Sequence, residues 1–263
     1  MENLREAQLI MLDMLKVIDD ICRDQNIKYW LDAGTLLGAI RHKGFIPWDD
    51  DLDIAMERSD YNKFIEIIKS YKNDRYQFKC KELDENYEHF YAKLTDKENY
   101  LVEYKGFEND GIFVDIYPFD FYDRETRFYD KVFAQLFSQK KLGMKIFKKY
   151  RSGNYNKLYD LIRLFRLAIL QLMPLNLVYR WLYRKDATSK KYLGYNLNSG
   201  SSERFKTETI FPLKQQNFED MACYTPNNSH DYLTTFYGSY FELPPEKYRI
   251  SHAYKIILKK KTS

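Results

Sequence analysis

Apolar residues recur every three or four positions near the start of the chain. Leu4, Ala7, Met11, Leu15, Ile18 and Cys22 fall on one stripe, with Leu9 and Leu12 beside it. That period predicts an amphipathic helix over residues 3–25. The pattern then shortens. Residues 28–32 read as a brief strand, Ala33, Gly34 and Thr35 as a turn, and residues 36–41 as helical again, so Gly34 and Thr35 fall at a strand-to-helix junction. A loop over 42–48 leads to a strand over 51–56, and Ser59 is the expected N-cap of a helix running to Tyr71. Four more strands are predicted at 76–81, 90–94, 100–103 and 112–117, separated by polar turns. Helices packed on a mixed sheet follow for this first part of the chain.

From residue 123 the character changes. Two long helical stretches are predicted over 123–149 and 155–185, rich in Phe, Leu, Tyr, Lys and Arg, interrupted at residues 151–154 and kinked by Pro174. The uncharged stretch 167–179 is flanked by Arg163, Arg166, Arg180, Arg184 and Lys185. It is too short to span a bilayer and reads either as an interfacial helix or as a helix buried in the core or at a dimer interface. Residues 187–209 read as a polar connection, and the remainder as short strands or turns with a helix around 231–237, closed by Pro244 and Pro245. The expected division is a core over 1–122, a basic and mostly helical region over 123–200, and a C-terminal region over 201–263 that packs back on the core.

Composition excludes several classes. With 263 residues, 44% hydrophobic and 17% aromatic, and only 10 Gly and 7 Pro, the chain is a globular protein rather than a disordered or fibrous one. Cys22, Cys80 and Cys223 form no close pair, which excludes a disulfide scaffold or a Cys-based zinc site and suits a reducing compartment. Acids recur through the first twenty residues, so no signal peptide is expected there, and no apolar run reaches the length of a membrane span. A cytoplasmic location is the expectation. Net charge is only +4 but unevenly placed: residues 1–123 hold 16 basic and 27 acidic side chains, residues 124–191 hold 17 and 4. So acidic a first half argues against nucleic acid as a partner. The basic middle is either a solvated helical face or a patch that meets an anionic polymer or membrane surface.

Candidate chemistry concentrates in residues 48–54, Trp-Asp-Asp-Asp-Leu-Asp-Ile. In an extended chain residues two apart share a face, so Asp51 and Asp53 project together, with Asp49 joining them if the strand starts early. Carboxylates held side by side repel unless a cation lies between them, and hard oxygen ligands suit Mg²⁺ or Mn²⁺. The alternative is an acidic surface turn. Backbone N–H groups at Gly34 and Thr35 offer a phosphate cradle. Asp115, with apolar neighbours on both sides, is costly to bury unless it meets a cation or a set of donors; it is a third site acid or an N–H-capped structural carboxylate. Arg41, His42 and Lys43 offer donors to a diphosphate, and Lys93 is a weaker phosphate candidate. His89 and His252 read as structural or surface histidines. No Ser/His/Asp or Cys/His set, phosphate-binding glycine motif or histidine-based zinc spacing is present.

Residues 32–54, Asp-Ala-Gly-Thr-Leu-Leu-Gly-Ala-Ile-Arg-His-Lys-Gly-Phe-Ile-Pro-Trp-Asp-Asp-Asp-Leu-Asp-Ile, closely resemble the signature of the LicD family, named for bacterial phosphocholine transferases, and residues 232–245 resemble its closing motif. The resemblance implies an α/β, nucleotidyltransferase-like mixed sheet flanked by helices, with a helical basic insertion and a C-terminal extension. It implies a divalent metal, Mg²⁺ or Mn²⁺, and transfer of a phospho-substituent, phosphocholine first among them, from a CDP-activated alcohol donor to a sugar hydroxyl of teichoic acid or lipopolysaccharide. The family's Gly-Thr falls on Gly34 and Thr35 and its acidic motif on Asp49, Asp51 and Asp53, with Asp115 as the third acid of the metal and catalytic set. Arg41, His42, Lys43, Trp48 and Lys93 complete the substrate-binding candidates. A lipid-linked glycan acceptor would bring the protein to the inner face of the plasma membrane. Competing readings are deposition of a nucleotidyl group on the acceptor, a non-catalytic glycan- or nucleotide-binding protein, and a membrane-anchoring scaffold.

Overall fold

A computed structural model describes residues 2–87, 89–102, 110–136, 168, 172, 189–196 and 201–259. The chain folds as two compact units, one built from residues 1–119 and 205–263 and the other from 120–204.

In the first unit, helix α1 (Leu4–Asp24) buries the predicted stripe, Leu4 to Cys22, while Leu9 is 44% exposed. Strand β1 is only Trp30–Leu31, and α2 runs from Ala33 to His42. Gly34 and Thr35 therefore lie in the first turn of α2 rather than ahead of it, with Asp32 as the N-cap accepting the Ala33 N–H at 2.7 Å. Strand β2 (Asp53–Glu57) starts two residues later than the alternation suggests. Helix α3 (Arg58–Ile68) has Glu57, not Ser59, at its N-cap position; the Ser59 hydroxyl instead donates to the Glu57 carboxylate at 2.9 Å.

With β3 (Tyr76–Lys79), β4 (Ala92–Val102), β5 (Asp110–Tyr122) and β10 (Lys255–Ile257), the sheet runs β1-β2-β5-β4-β10, and β3 also lies on β4. Strand β2 is parallel to β5, while β1 on β2 and β4 on β5 are antiparallel, so the sheet is mixed as expected. The two strands predicted at 90–94 and 100–103 are one strand, β4, interrupted by a bulge between Thr95 and Tyr100. Its polar residues do not form a turn, because the Asp96 carboxylate accepts from the backbone of Glu98 and Asn99 and from Arg75 and is fully buried. Across from it a side chain on Gly111 would lie 2.0 Å from the Asp96 carbonyl oxygen, so only glycine fits. Strands β3 and β10 share the outer edge of β4 on either side of the bulge. The hairpin β8 (Lys214–Phe218) and β9 (Met221–Thr225), then α4 (Ser229–Tyr237), complete the unit. Trp30, Phe119, Phe205 and Tyr232 form its aromatic centre, with Trp30 edge-on to Phe119 at 5.2 Å and Phe205 stacked on Tyr232 at 3.8 Å.

In the second unit, residues 128–136 are helical, and the fully buried Asp130 carboxylate meets Arg124 at 2.6 Å and Arg204 at 3.2 Å. The rest of the two long helices predicted over 123–149 and 155–185, with the 167–179 stretch, lies outside the described residues apart from Ala168 and Leu172. Within the expected polar connection run β6 (Tyr192–Tyr195) and β7 (Arg204–Lys206), strands too short to carry a readable period. Among the described residues no helix is long and apolar enough to cross a membrane.

Candidate active site

Three adjacent strands set the geometry. Asp53 on β2 is the register partner of Asp115 on β5, and Asp115 is the register partner of Lys93 on β4. Register partners project to one face, so two carboxylates and an ammonium lie in a row across the sheet. The other face of the same strands carries Ile54, Ile116 and Ala92, all fully buried. Lys93 Nζ is 2.9 Å from Asp115 Oδ1, and the ammonium sits 3.5 Å over the Phe113 ring. The Tyr117 hydroxyl donates to Asp115 Oδ2 at 3.3 Å. Lys93, a phosphate candidate in the sequence, thus has its charge committed to an acid of the site.

Asp49 and Asp51 come from the loop just ahead of β2. Burial, then the Asp51 charge beside it, pushes the Asp49 carboxyl up to about 8. Asp51 is raised by burial and by Asp50, and Asp53 is raised well above the usual carboxylate range by burial, Asp51 and Asp115. Asp115 is also raised by burial, against the opposing pull of Lys93. Among the described residues these four carboxylates crowd one another with the single ammonium of Lys93, and such a set of hard oxygen donors fits a divalent cation. A second group overlaps it: ligand atoms of Asp49, Asp50 and His252 lie within 4.8 Å of one another.

The loop is fixed from several directions. Thr35 Oγ1 accepts the Asp53 N–H at 2.8 Å, and the Asp32 N–H donates to the Asp53 carbonyl at 3.0 Å, which ties α2 to the start of β2. A side chain on Gly34 would come within 3.0 Å of Asp49 Oδ2, and one on Gly38 within 2.4 Å of the Gly44 carbonyl, so glycine lets α2 approach the loop. From α1, Gln8 Nε2 donates to the carbonyls of Ile46 and Asp49 at 3.1 and 2.9 Å. Glu219, in the β8–β9 turn, takes the Phe45 N–H at 3.1 Å, gives its own N–H to Lys43 and pairs with Arg5 at 2.7 Å. Asp50 accepts the backbone N–H groups of His252 and Ala253, which anchors the C-terminal segment.

The basic residues of the loop lie at its rim. Arg41 Nε donates to His42 Nε2 at 3.0 Å and Arg41 Nη1 to the Tyr240 carbonyl at 3.0 Å. Accepting at Nε2 keeps His42 neutral, and burial followed by the Arg41 charge lowers its pKa. Trp48 is half-buried, with His42 edge-on at 6.1 Å and the Arg249 guanidinium over its ring at 5.5 Å. Lys43 is exposed, in left-handed backbone with φ 59°. Above the acids, Tyr237 is raised by burial and by the charges of Asp32, Asp53, Asp49 and Asp51.

Residues 26–159 match the model of the LicD/FKTN/FKRP nucleotidyltransferase domain. The chain belongs to the LicD family. It is 28% identical over 259 residues to the lipopolysaccharide cholinephosphotransferase LicD of Haemophilus influenzae, covering 95% of this chain and 96% of that one. It is 42% identical over 71 residues to an uncharacterised protein of Rickettsia typhi, 27% of this chain and 23% of the other. A shorter match, 31% over 93 residues, relates 35% of the chain to 17% of the mouse ribitol 5-phosphate transferase FKRP. The protein is accordingly a phosphotransferase of the LicD type. What the LicD signature alone did not reveal comes from distant chain. Asp50 falls between the alternating acids in sequence, so the spacing that singles out its neighbours passes over it, although its carboxylate lies within 4.8 Å of ligand atoms of Asp49 and His252. Tyr232, whose hydroxyl donates to the N-cap Asp32 at 2.6 Å, and Arg249 and His252 reach the site only through the fold.

Proposed function

We propose that the protein transfers a phospho-substituent, most simply phosphocholine, from a CDP-activated alcohol to a sugar hydroxyl of a cell-surface glycan such as lipopolysaccharide or teichoic acid. The observation that carries this reading is the register pairing of Asp53 with Asp115, with Asp49 and Asp51 alongside. The full-length likeness to a lipopolysaccharide cholinephosphotransferase supports it.

Asp49, Asp51, Asp53 and Asp115 are the residues that would hold Mg²⁺ or Mn²⁺, which supplies charge neutralisation at the donor's diphosphate. Arg41 and Lys43 orient the phosphates from the rim, the first by its guanidinium fork and the second as a point charge, with His42 and Trp48 supporting Arg41. The acceptor oxygen attacks the phosphorus bearing the alcohol, the bond from that phosphorus to CMP breaks, and the hydroxyl proton passes to a carboxylate. Among the described residues Lys93 pairs with Asp115 and no ion pair is made by Asp53, so Asp53 is the better base where the cation is held by the other acids. The acceptor, lipid-linked at the inner membrane face, would be met by the basic segment 124–191.

Calorimetric titration with CDP-choline, CDP-ribitol, CDP-glycerol and CTP, in Mg²⁺ and in EDTA, tests the reading. Metal-dependent binding of one CDP-alcohol over CTP is the expected result and names the group. Preference for CTP would point to nucleotidyl transfer, and no binding at all to a non-catalytic protein.

A further inference from the structure

Arg249 lies near the far end of the chain, in the segment that Asp50 anchors through the backbone of His252 and Ala253. Its Nε donates to the Pro244 carbonyl at 2.8 Å, and its guanidinium lies over Trp48, the residue just before the acidic run. Trp48 touches His42, and His42 accepts from Arg41. Arg249 thus meets the indole directly and Arg41 reaches it through His42. Among the described residues neither has a carboxylate partner, and the Nη atoms of Arg249 and Nη2 of Arg41 make no hydrogen bond to the protein. The two charges feel each other: burial, and next the charge of Arg249, lowers the pKa of Arg41.

Like charges brought close together cost free energy unless a counter-charge offsets them. Among the described residues no carboxylate pairs with either guanidinium, and after burial the charge that bears most on Arg41 is that of Arg249. An anion with several oxygens would satisfy both forks at once, and the Nε bond to Pro244 with the contact over Trp48 holds the Arg249 guanidinium in place. The contrast is Lys247, two residues away and exposed, whose ammonium lies 4.8 Å over the Tyr248 ring on the surface.

We propose that Arg249, lying over Trp48 and close enough for its charge to bear on Arg41, is the second arm of a phosphate clamp that binds the diphosphate of the donor. The inference rests on the reading of this site as a donor-phosphate site, but its test does not require the right alcohol or acceptor. Inorganic pyrophosphate is titrated calorimetrically into wild type, Arg249→Gln, Arg249→Lys and Lys247→Gln, in Mg²⁺ and in EDTA at low salt. Arg249→Gln should weaken binding about tenfold or more, Arg249→Lys should lose part of that because it keeps the charge without the fork, and Lys247→Gln should match wild type. Melting temperatures of the variants serve as the folding control. Binding by Arg249→Gln equal to wild type, an equal loss in Lys247→Gln, or no pyrophosphate binding by wild type in either buffer would overturn the clamp. Loss specific to Arg249 in a protein that turns over no CDP-alcohol would keep the clamp and sink the donor assignment instead.

Discussion

The hydroxyl of Thr35 accepts the backbone N–H of Asp53 at 2.8 Å, joining the first turn of α2 to the first residue of β2. Thr35 is 3% exposed, so this N–H has no water to turn to if the hydroxyl is lost. The position of a site carboxylate thus depends on a side chain eighteen residues earlier. Thr35→Val, which keeps the shape and removes the acceptor, should cost about 1–3 kcal/mol in urea denaturation. Thr35→Ser should recover most of it. Equal stability of all three proteins would show that the bond does not matter.

Asp53→Asn should lower turnover by roughly 10²–10³-fold or more while the protein stays folded. In EDTA its melting temperature should equal or exceed that of wild type, since one of several mutually repelling buried charges is gone. Near-normal turnover in a folded Asp53→Asn protein would remove Asp53 from the mechanism.

Breaking the Lys93–Asp115 pair leaves a buried carboxylate without its counter-charge. Lys93→Met should destabilise the fold by about 3–5 kcal/mol, measured by chemical denaturation. Added Mg²⁺ should recover more stability in Lys93→Met than in wild type, because the orphaned Asp115 then has a stronger call on a cation. A Mg²⁺ response no greater than wild type's would argue that Asp115 serves structure alone.

The Glu219 carboxyl is held below its usual range by its hydrogen bond from Arg5, and also by the Phe45 N–H. A carboxyl depressed in the folded state contributes stability above the unfolded pKa of 4.5 and loses it as pH falls through the lower folded value. Glu219→Gln should therefore be less stable than wild type at pH 7, on the order of 1 kcal/mol given the exposure of Arg5. The gap should close as pH drops below that unfolded value. A gap that persists undiminished at pH 2 would assign the effect to packing rather than charge.

How much of this could be read in advance depended on the range of the interactions. Helix α1 was legible because its stripe from Leu4 to Cys22 is a local period that the core then buries. The acids at 49, 51 and 53 stood out through spacing, but only Asp53 lies on the strand, where the parallel register sets it against Asp115. Strand β4 was not legible, because Asp96 makes a bulge look like a turn by collecting donors that only the fold supplies. Ser59 has the composition of a cap but lies one residue inside the helix, with its hydroxyl drawn to Glu57. Lys93 read as a weaker phosphate candidate, since nothing local reveals the register that sets it against Asp115. Arg249 and His252 carry no local signal at all.

The chain leaves the first unit after Phe119 and re-enters it at Phe205, and these two rings lie nearly parallel with centroids 6.2 Å apart. Everything from 120 to 204 is thus spliced in between two doorposts that already touch. For a segment tethered this way, doubling its length raises the entropy of closure by only about 0.6 kcal/mol. Lineages can lengthen, trim or exchange what hangs from that gateway while the strands bearing Asp53 and Asp115 keep their register, which makes it a natural graft point for changing what the enzyme is brought to.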